Sequence, residues 1–273
     1  MKKILTSLFL VLTVIFVTAC SQESTGTKKE TTTSIPSTTV TTKITSTSTP
    51  TPTATTKAVK QGELAGFKIL VDAGHGCTKE YVEPKYPGAT ETTVENSSTG
   101  TTGVATNKRE GELTLEVALL LQKKLEKLGA DVYMVRTTSG TEMSLRDRAE
   151  MGNKLNVDLV FRIHADGVDD SSARGASLLY PASDYVSPQL AQTSEKAASI
   201  ILENYINATG LNNRGTVARN DLVGFNFTEV PTVLIELGFM TNPDEDLLMS
   251  EKDFQNKMVN GIAKGLIEYN KSK

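Results

Sequence analysis

The chain predicts an α/β fold: a single domain with a twisted, mostly parallel sheet and helices on both faces. Three observations carry that expectation. Apolar runs of strand length, such as Phe67 to Val71 and Asp158 to Ile163, alternate with segments whose apolar residues recur at helical spacing. Several runs stop abruptly at a histidine or a glycine, as buried strands do where they open into tight loops. No internal repeat interrupts the alternation, so one domain accommodates all of it.

Composition bounds the rest. With 38% hydrophobic and 22% charged residues and a net charge of −3, the chain has an ordinary globular balance and no basic excess that would suggest nucleic acid. Its start is different. Met1-Lys2-Lys3 precedes an apolar stretch from Ile4 to Ala19, shorter than the roughly 20 residues of a spanning helix, so residues 1–19 read as a secretory signal. Val17-Thr18-Ala19-Cys20 resembles the lipobox of bacterial lipoproteins. That resemblance implies lipidation of Cys20 and anchoring on the outer face of a bacterial cytoplasmic membrane, facing the cell wall, or on the outer membrane of a Gram-negative cell. Between Ser21 and Lys57, 22 of 37 residues are Ser or Thr and none is aromatic, too little apolar area to offset ordering. Residues 20–62 are therefore expected to be a lipidated tether and residues 63–273 the folded domain.

Taken in order, Phe67 to Val71 is the first strand. Gly76 to Arg109 is rich in Gly, Thr and Ser and reads as an ordered functional loop or a small hairpin. Leu113, Val117, Leu121, Leu125 and Leu128 set a helix from Glu112 to Leu128, closed by Gly129. Asp131 to Val135 is a short strand. Ser144 and Asp147 stand at capping-box spacing at the head of a helix ending at Leu155. Strands follow at Asp158 to Ile163 and Ala176 to Tyr180, then a long helix from about Pro188 to Ala208. Asn213 to Phe227 reads as loop with one short strand, and Thr232 to Glu236 as strand. Asn242-Pro243 starts a short helix, and the last helix spans Lys252 to Tyr269 with Ser250 as its cap.

The chemistry-bearing residues fall at the tips of these strands. The sequence holds two histidines; His75 follows Ile69-Leu70-Val71-Asp72-Ala73-Gly74, and His164 ends Leu159-Val160-Phe161-Arg162-Ile163. Neutral imidazole is a common zinc ligand, and open α/β sheets place ligands at the carboxyl ends of strands. A catalytic zinc needs a third protein ligand, and Glu110 and Glu112 both open the helix after the long loop, with nothing in the spacing to choose between them. Cys77, two residues past His75, would have to fold back to reach the same ion and is set aside. Glu236 is embedded in Val233-Leu234-Ile235-Glu236-Leu237-Gly238-Phe239, where a carboxylate is costly unless paired or used. It is either a structural partner, for instance of Arg148, or a general base whose pKa the apolar surroundings raise; the second is preferred.

Together these stretches resemble the zinc-dependent N-acetylmuramoyl-L-alanine amidases of amidase family 3, over about Phe67 to Tyr269. The resemblance rests on Val71-Asp72-Ala73-Gly74-His75-Gly76, Glu110-Gly111-Glu112-Leu113, Ser144-Leu145-Arg146-Asp147-Arg148, Ile163-His164-Ala165-Asp166 and Pro231 to Phe239 with Asn242. It implies one catalytic zinc ion held by His75, Glu110 and His164, with Glu236 as the catalytic acid–base, and so favours Glu110 over Glu112. It implies hydrolysis of the amide between N-acetylmuramic acid and L-alanine in peptidoglycan, in wall remodelling or lysis. Arg219 and Asn220 are separately expected as substrate contacts. The alternatives are a catalytically silent wall-binding or regulatory lipoprotein, and a different zinc wall hydrolase, a peptidase or deacetylase. Arg162 departs from the family, which has a small residue such as Ser there; it is expected to alter the site floor or to pair with a carboxylate.

Overall fold

The computed structural model describes residues 61–94 and 100–273. The signal segment, Cys20 and the Ser/Thr-rich stretch to residue 60 lie outside the described residues.

Six strands form one sheet: β1 (Lys68–Ala73), β4 (Asp131–Met134), β5 (Leu159–Asp166), β6 (Ala176–Pro181), β7 (Asn213–Arg219) and β8 (Thr232–Phe239). Their spatial order is β4-β1-β5-β8-β6-β7. β4, β1, β5 and β8 run parallel; β6 pairs with β8 in the opposite sense, and β7 runs with β6. A separate hairpin, β2 (Tyr81–Pro84) with β3 (Glu91–Val94), rises from the long segment after β1, one of the two forms expected for it.

The helices cover both faces, as the alternating pattern requires. On one face α1 (Glu110–Lys127), α3 (Pro188–Thr209) and α6 (Lys252–Lys271) bury Val117, Leu121, Tyr205, Ile262 and Leu266 against Ile69, Phe161 and Ile235 of the strands. On the other, Met151 and Leu155 of α2 (Leu145–Leu155) pack on Leu70 and Val160, and Phe225 of α4 (Val223–Asn226) packs on Leu179 and Leu234. α5 (Pro243–Ser250) follows β8. Because α1 leaves β1 toward β4 on one side while β5 lies on the other, the chain direction reverses between β1 and β5. Ligands in such sheets bind outside the carboxyl ends at that switch point.

Three expectations shift. The first long helix begins at Glu110, two residues earlier than the apolar spacing suggests, because Glu112 turns back to accept a hydrogen bond from Arg109 N (3.3 Å) and so caps rather than opens it. Asn213–Arg219 is a full strand, β7, reading as loop because an edge strand exposed on one side has no apolar alternation and carries Gly215 at φ 85° beside a register shift. Ser250 is not the cap of α6. It ends α5, its buried Oγ has no partner among the described residues, and Glu251 takes the cap position without a side-chain bond. Asn242 caps α5 as its sequence suggests, accepting from Asp244 N and Glu245 N.

α3 and α6 approach so closely that α6 needs glycine: a Cβ on Gly265 would stand 2.6 Å from Ile201 Cα, and one on Gly261 2.9 Å from Tyr205 Cα. Gly265→Val should therefore cost about 2–3 kcal/mol by overpacking, read as a lowered urea midpoint; no change would show that the helices are free to part.

Candidate metal centre

β1, β5 and β8 are parallel neighbours, so their carboxyl ends meet at one edge. His75 follows β1, His164 lies near the end of β5, and Glu236 sits opposite His164 in register on β8. Glu110, the first residue of α1, leans over the same edge. Its Oε1 lies 2.8 Å from His75 Nε2 and 2.9 Å from His164 Nδ1, and it accepts a hydrogen bond from Ala165 N (3.1 Å). Its Oε2 accepts from Thr101 N at 3.1 Å. The two imidazole centroids are 4.8 Å apart at 72°. Glu112 points to Arg109 instead.

This convergence needs room that only glycine leaves. A Cβ on Gly74 would stand 2.6 Å from the His164 ring, and one on Gly100, at φ 68°, would stand 2.2 Å from Glu110 Oε2. His75 itself takes a left-handed φ of 61°, held there by Arg148 Nη2 donating to its carbonyl at 3.0 Å. Arg136 clasps the end of β1 to the start of α1, donating to the carbonyls of Ala73 (2.9 Å), Gly74 (2.7 Å) and Gly111 (2.8 Å). The loop before Glu110 is tied down by Asp246 of α5, which accepts from Ala105 N and Thr106 N at 2.8 Å each.

The electrostatics suit a cation. Burial raises the Glu110 pKa, but hydrogen bonds from His164 and His75 outweigh it and leave the carboxyl ionised far below its usual range. Burial also lowers the His164 pKa against the pull of Glu110, so its ring favours the neutral, ligating form. Burial, then Glu110 and Asp166, raise the Glu236 pKa well above the ordinary carboxylate value, with Arg219 opposing. Glu236 Oε2 is buried with no hydrogen-bond partner among the described residues. Two ring nitrogens and one carboxylate oxygen, all within 4.8 Å of one another, form a donor set that fits zinc.

The other sequence candidates fall as follows. Arg148 pairs with Asp72 Oδ1 at 3.0 Å rather than with Glu236. Arg162 does meet a carboxylate, its Nε 3.4 Å from Asp72 Oδ2. Cys77 stays out of the donor set; its Sγ donates to Lys79 O at 3.3 Å. Arg219 forms a two-pronged pair with Asp221, both distances 2.7 Å, and the exposed Asn220 offers its carbonyl to Asn226. Asp72, Arg136, Thr101 and Asp246 were not singled out from sequence as site-forming. Only Asp72 carried a signal, as an acid closing an apolar run.

Two imidazoles and an ionised carboxylate at the carboxyl edge of a parallel sheet, with a second acid alongside, define a hydrolase site able to hold a metal. The chain belongs to the N-acetylmuramoyl-L-alanine amidase family, which matches residues 69–268, and it is such an amidase, a cell-wall hydrolase. It is 28% identical over 216 residues to N-acetylmuramoyl-L-alanine amidase Rv3717 of Mycobacterium tuberculosis, covering 74% of this chain and 86% of that one. It is 30% identical over 211 residues to the Staphylococcus aureus protein named "Probable cell wall amidase LytH", covering 77% of this chain and 60% of that protein's length. The crystal structure of the amidase Ami1 from Mycobacterium smegmatis superposes with a TM-score of 0.67 at 25% identity, over 77% of this chain and 99% of that one.

Asp72 is the shared counter-ion of two buried guanidiniums beneath the site. Burial raises its pKa, but Arg148 and then Arg162, His164 and Arg136 pull it below the usual value. Asp72→Asn should cost about 3–5 kcal/mol of unfolding free energy in urea, because it strands buried positive charge; a loss under about 1 kcal/mol would contradict the pairing.

Proposed function

We propose that this chain is a zinc-dependent amidase. It hydrolyses the amide between the lactyl group of N-acetylmuramic acid and L-alanine in peptidoglycan, from a lipid anchor on Cys20 at the outer face of a bacterial membrane. The observation that carries the reading is the convergence of His75, Glu110 and His164 beside the unpartnered Glu236 oxygen. The anchor rests on the sequence around Cys20 alone, and the Ser/Thr-rich stretch behind it would act as a tether between membrane and wall.

His75, Glu110 and His164 would hold the zinc ion, which when bound supplies Lewis-acid chemistry at a carbonyl and acidifies water. The remaining work falls to the protein's own groups. Glu236 would take the proton from the water that attacks the lactyl carbonyl carbon. As the C–N bond breaks it would deliver that proton to the departing alanine nitrogen, leaving a lactyl carboxylate and a free amine. Its raised pKa makes it a stronger base for the first half of that transfer, the removal of the water proton. Arg219, which opposes that rise, would face the substrate with Asn220 at the rim.

Glu236→Gln should abolish release of L-alanine amino termini from purified peptidoglycan while keeping stoichiometric zinc. His164→Ala should lose both zinc and activity. Full hydrolysis by Glu236→Gln would overturn the assignment, and new amino termini other than L-alanine would point to a peptidase instead.

A further inference from the structure

The cavity below the imidazoles has no part in the steps above. Asp72, Arg162 and Leu234 lie side by side on β1, β5 and β8, one pleat beneath the row that carries His164 and Glu236. Between this row and the two histidines is a cavity of about 160 Å³, closed by Leu145 and Arg148 of α2 and by Leu222 to Gly224. Most of that wall is apolar. Among its charged side chains Asp72 and Arg148 bond each other, and Arg162 is the exception. It is only 4% exposed, yet its Nε and Nη2 donate no hydrogen bond among the described residues.

Asp72 gives its better bond, 3.0 Å, to Arg148, and stands 3.4 Å from Arg162 without hydrogen-bond geometry. One carboxylate therefore serves two buried guanidiniums, and these three groups together carry a net positive charge. A guanidinium presents a rigid fork of donors suited to a carboxylate, and an apolar wall strengthens such a bond. The fork lies against Gly224: a Cβ there would stand 1.7 Å from Arg162 Nη1, so the guanidinium keeps this position only beside a glycine and would otherwise have to shift.

We propose that this cavity is a carboxylate subsite, in which Arg162 receives one small carboxylate of the molecule bound at the His75–Glu110–His164 cluster. The assignment rests on the amidase reading for its ligand, and makes Arg162 a specificity-determining residue. Two residues along a strand span about 6–7 Å, the reach from the cluster to the Arg162 row. Two carboxylates fall within such a reach. One is the α-carboxyl of the second stem residue, a glutamate linked through its γ-carboxyl and five bonds from the scissile nitrogen. The other is the lactyl carboxylate that hydrolysis creates.

The test uses the zinc-loaded full chain and two muropeptides that differ only in that α-carboxyl, free in one and carboxamide in the other. If the stem carboxylate is the ligand, kcat/KM favours the free acid by about tenfold or more, and Arg162→Ser brings the ratio within about twofold, with Arg162→Lys between. If the lactyl carboxylate is the ligand, the ratio is flat, and Arg162→Ser instead weakens inhibition by N-acetylmuramic acid about tenfold. Crystals soaked in bromide provide a readout independent of activity: an anomalous peak within hydrogen-bond distance of Arg162, absent in Arg162→Ser. No Arg162-dependent bromide peak overturns the proposal, as does an Arg162→Ser variant that matches wild type in both kinetic arms. A bromide peak in a protein that cleaves neither muropeptide would remove the amidase reading and leave the anion site standing.

Discussion

The arrangement depends on keeping one carboxylate ionised in a place where burial opposes it. Glu110 is 4% exposed, and its Oε1 is shared by two imidazoles and the Ala165 amide, with the Thr101 amide on its other oxygen. Desolvation alone would neutralise such a group; hydrogen bonds to its charged form keep it anionic. Those partners come from three separate parts of the chain, so the charge is stable only when β1, β5, the loop before α1 and α1 itself are all in place. A local group is thereby made to report on the whole fold.

A second layer keeps that geometry from relaxing. Arg136 binds three carbonyls at the junction of β1 and α1, and Arg148 holds the His75 carbonyl while pairing with Asp72. Burial lowers the pKa of Arg136 to about 10, Arg148 adding to the effect and Asp72 opposing it, yet the group stays charged at neutral pH. Supporting donors of this kind fix ligand orientation, which is why the site is built on strand ends and a helix start rather than on free loops.

Much of this was legible in the sequence, for physical reasons that also explain the misses. Ile69 to Ala73, Leu159 to Ile163 and Val233 to Phe239 are buried on both faces, so their apolar runs announce parallel strands and their polar residues stand out. Glu236 was visible because a carboxylate in such a run demands a use. Spacing could not choose Glu110 over Glu112, since both start the helix and only three-dimensional packing sends one inward and the other back to Arg109. β7 reads as loop because an exposed edge strand has no buried face to imprint a period. Arg136 and Asp246 leave no trace because most of their partners are backbone groups, which sequence does not label.

The central claim is that His75, Glu110 and His164 gather to hold one metal ion, with Glu236 beside it and unbound. Diffraction from zinc-loaded protein, recorded on both sides of the zinc absorption edge, tests this most directly. The account predicts one anomalous peak at about 2.0–2.2 Å from a ring nitrogen of each histidine and from a Glu110 oxygen, with Glu236 outside bonding distance. A peak elsewhere, or one ligated by Glu236 in place of Glu110, would contradict it.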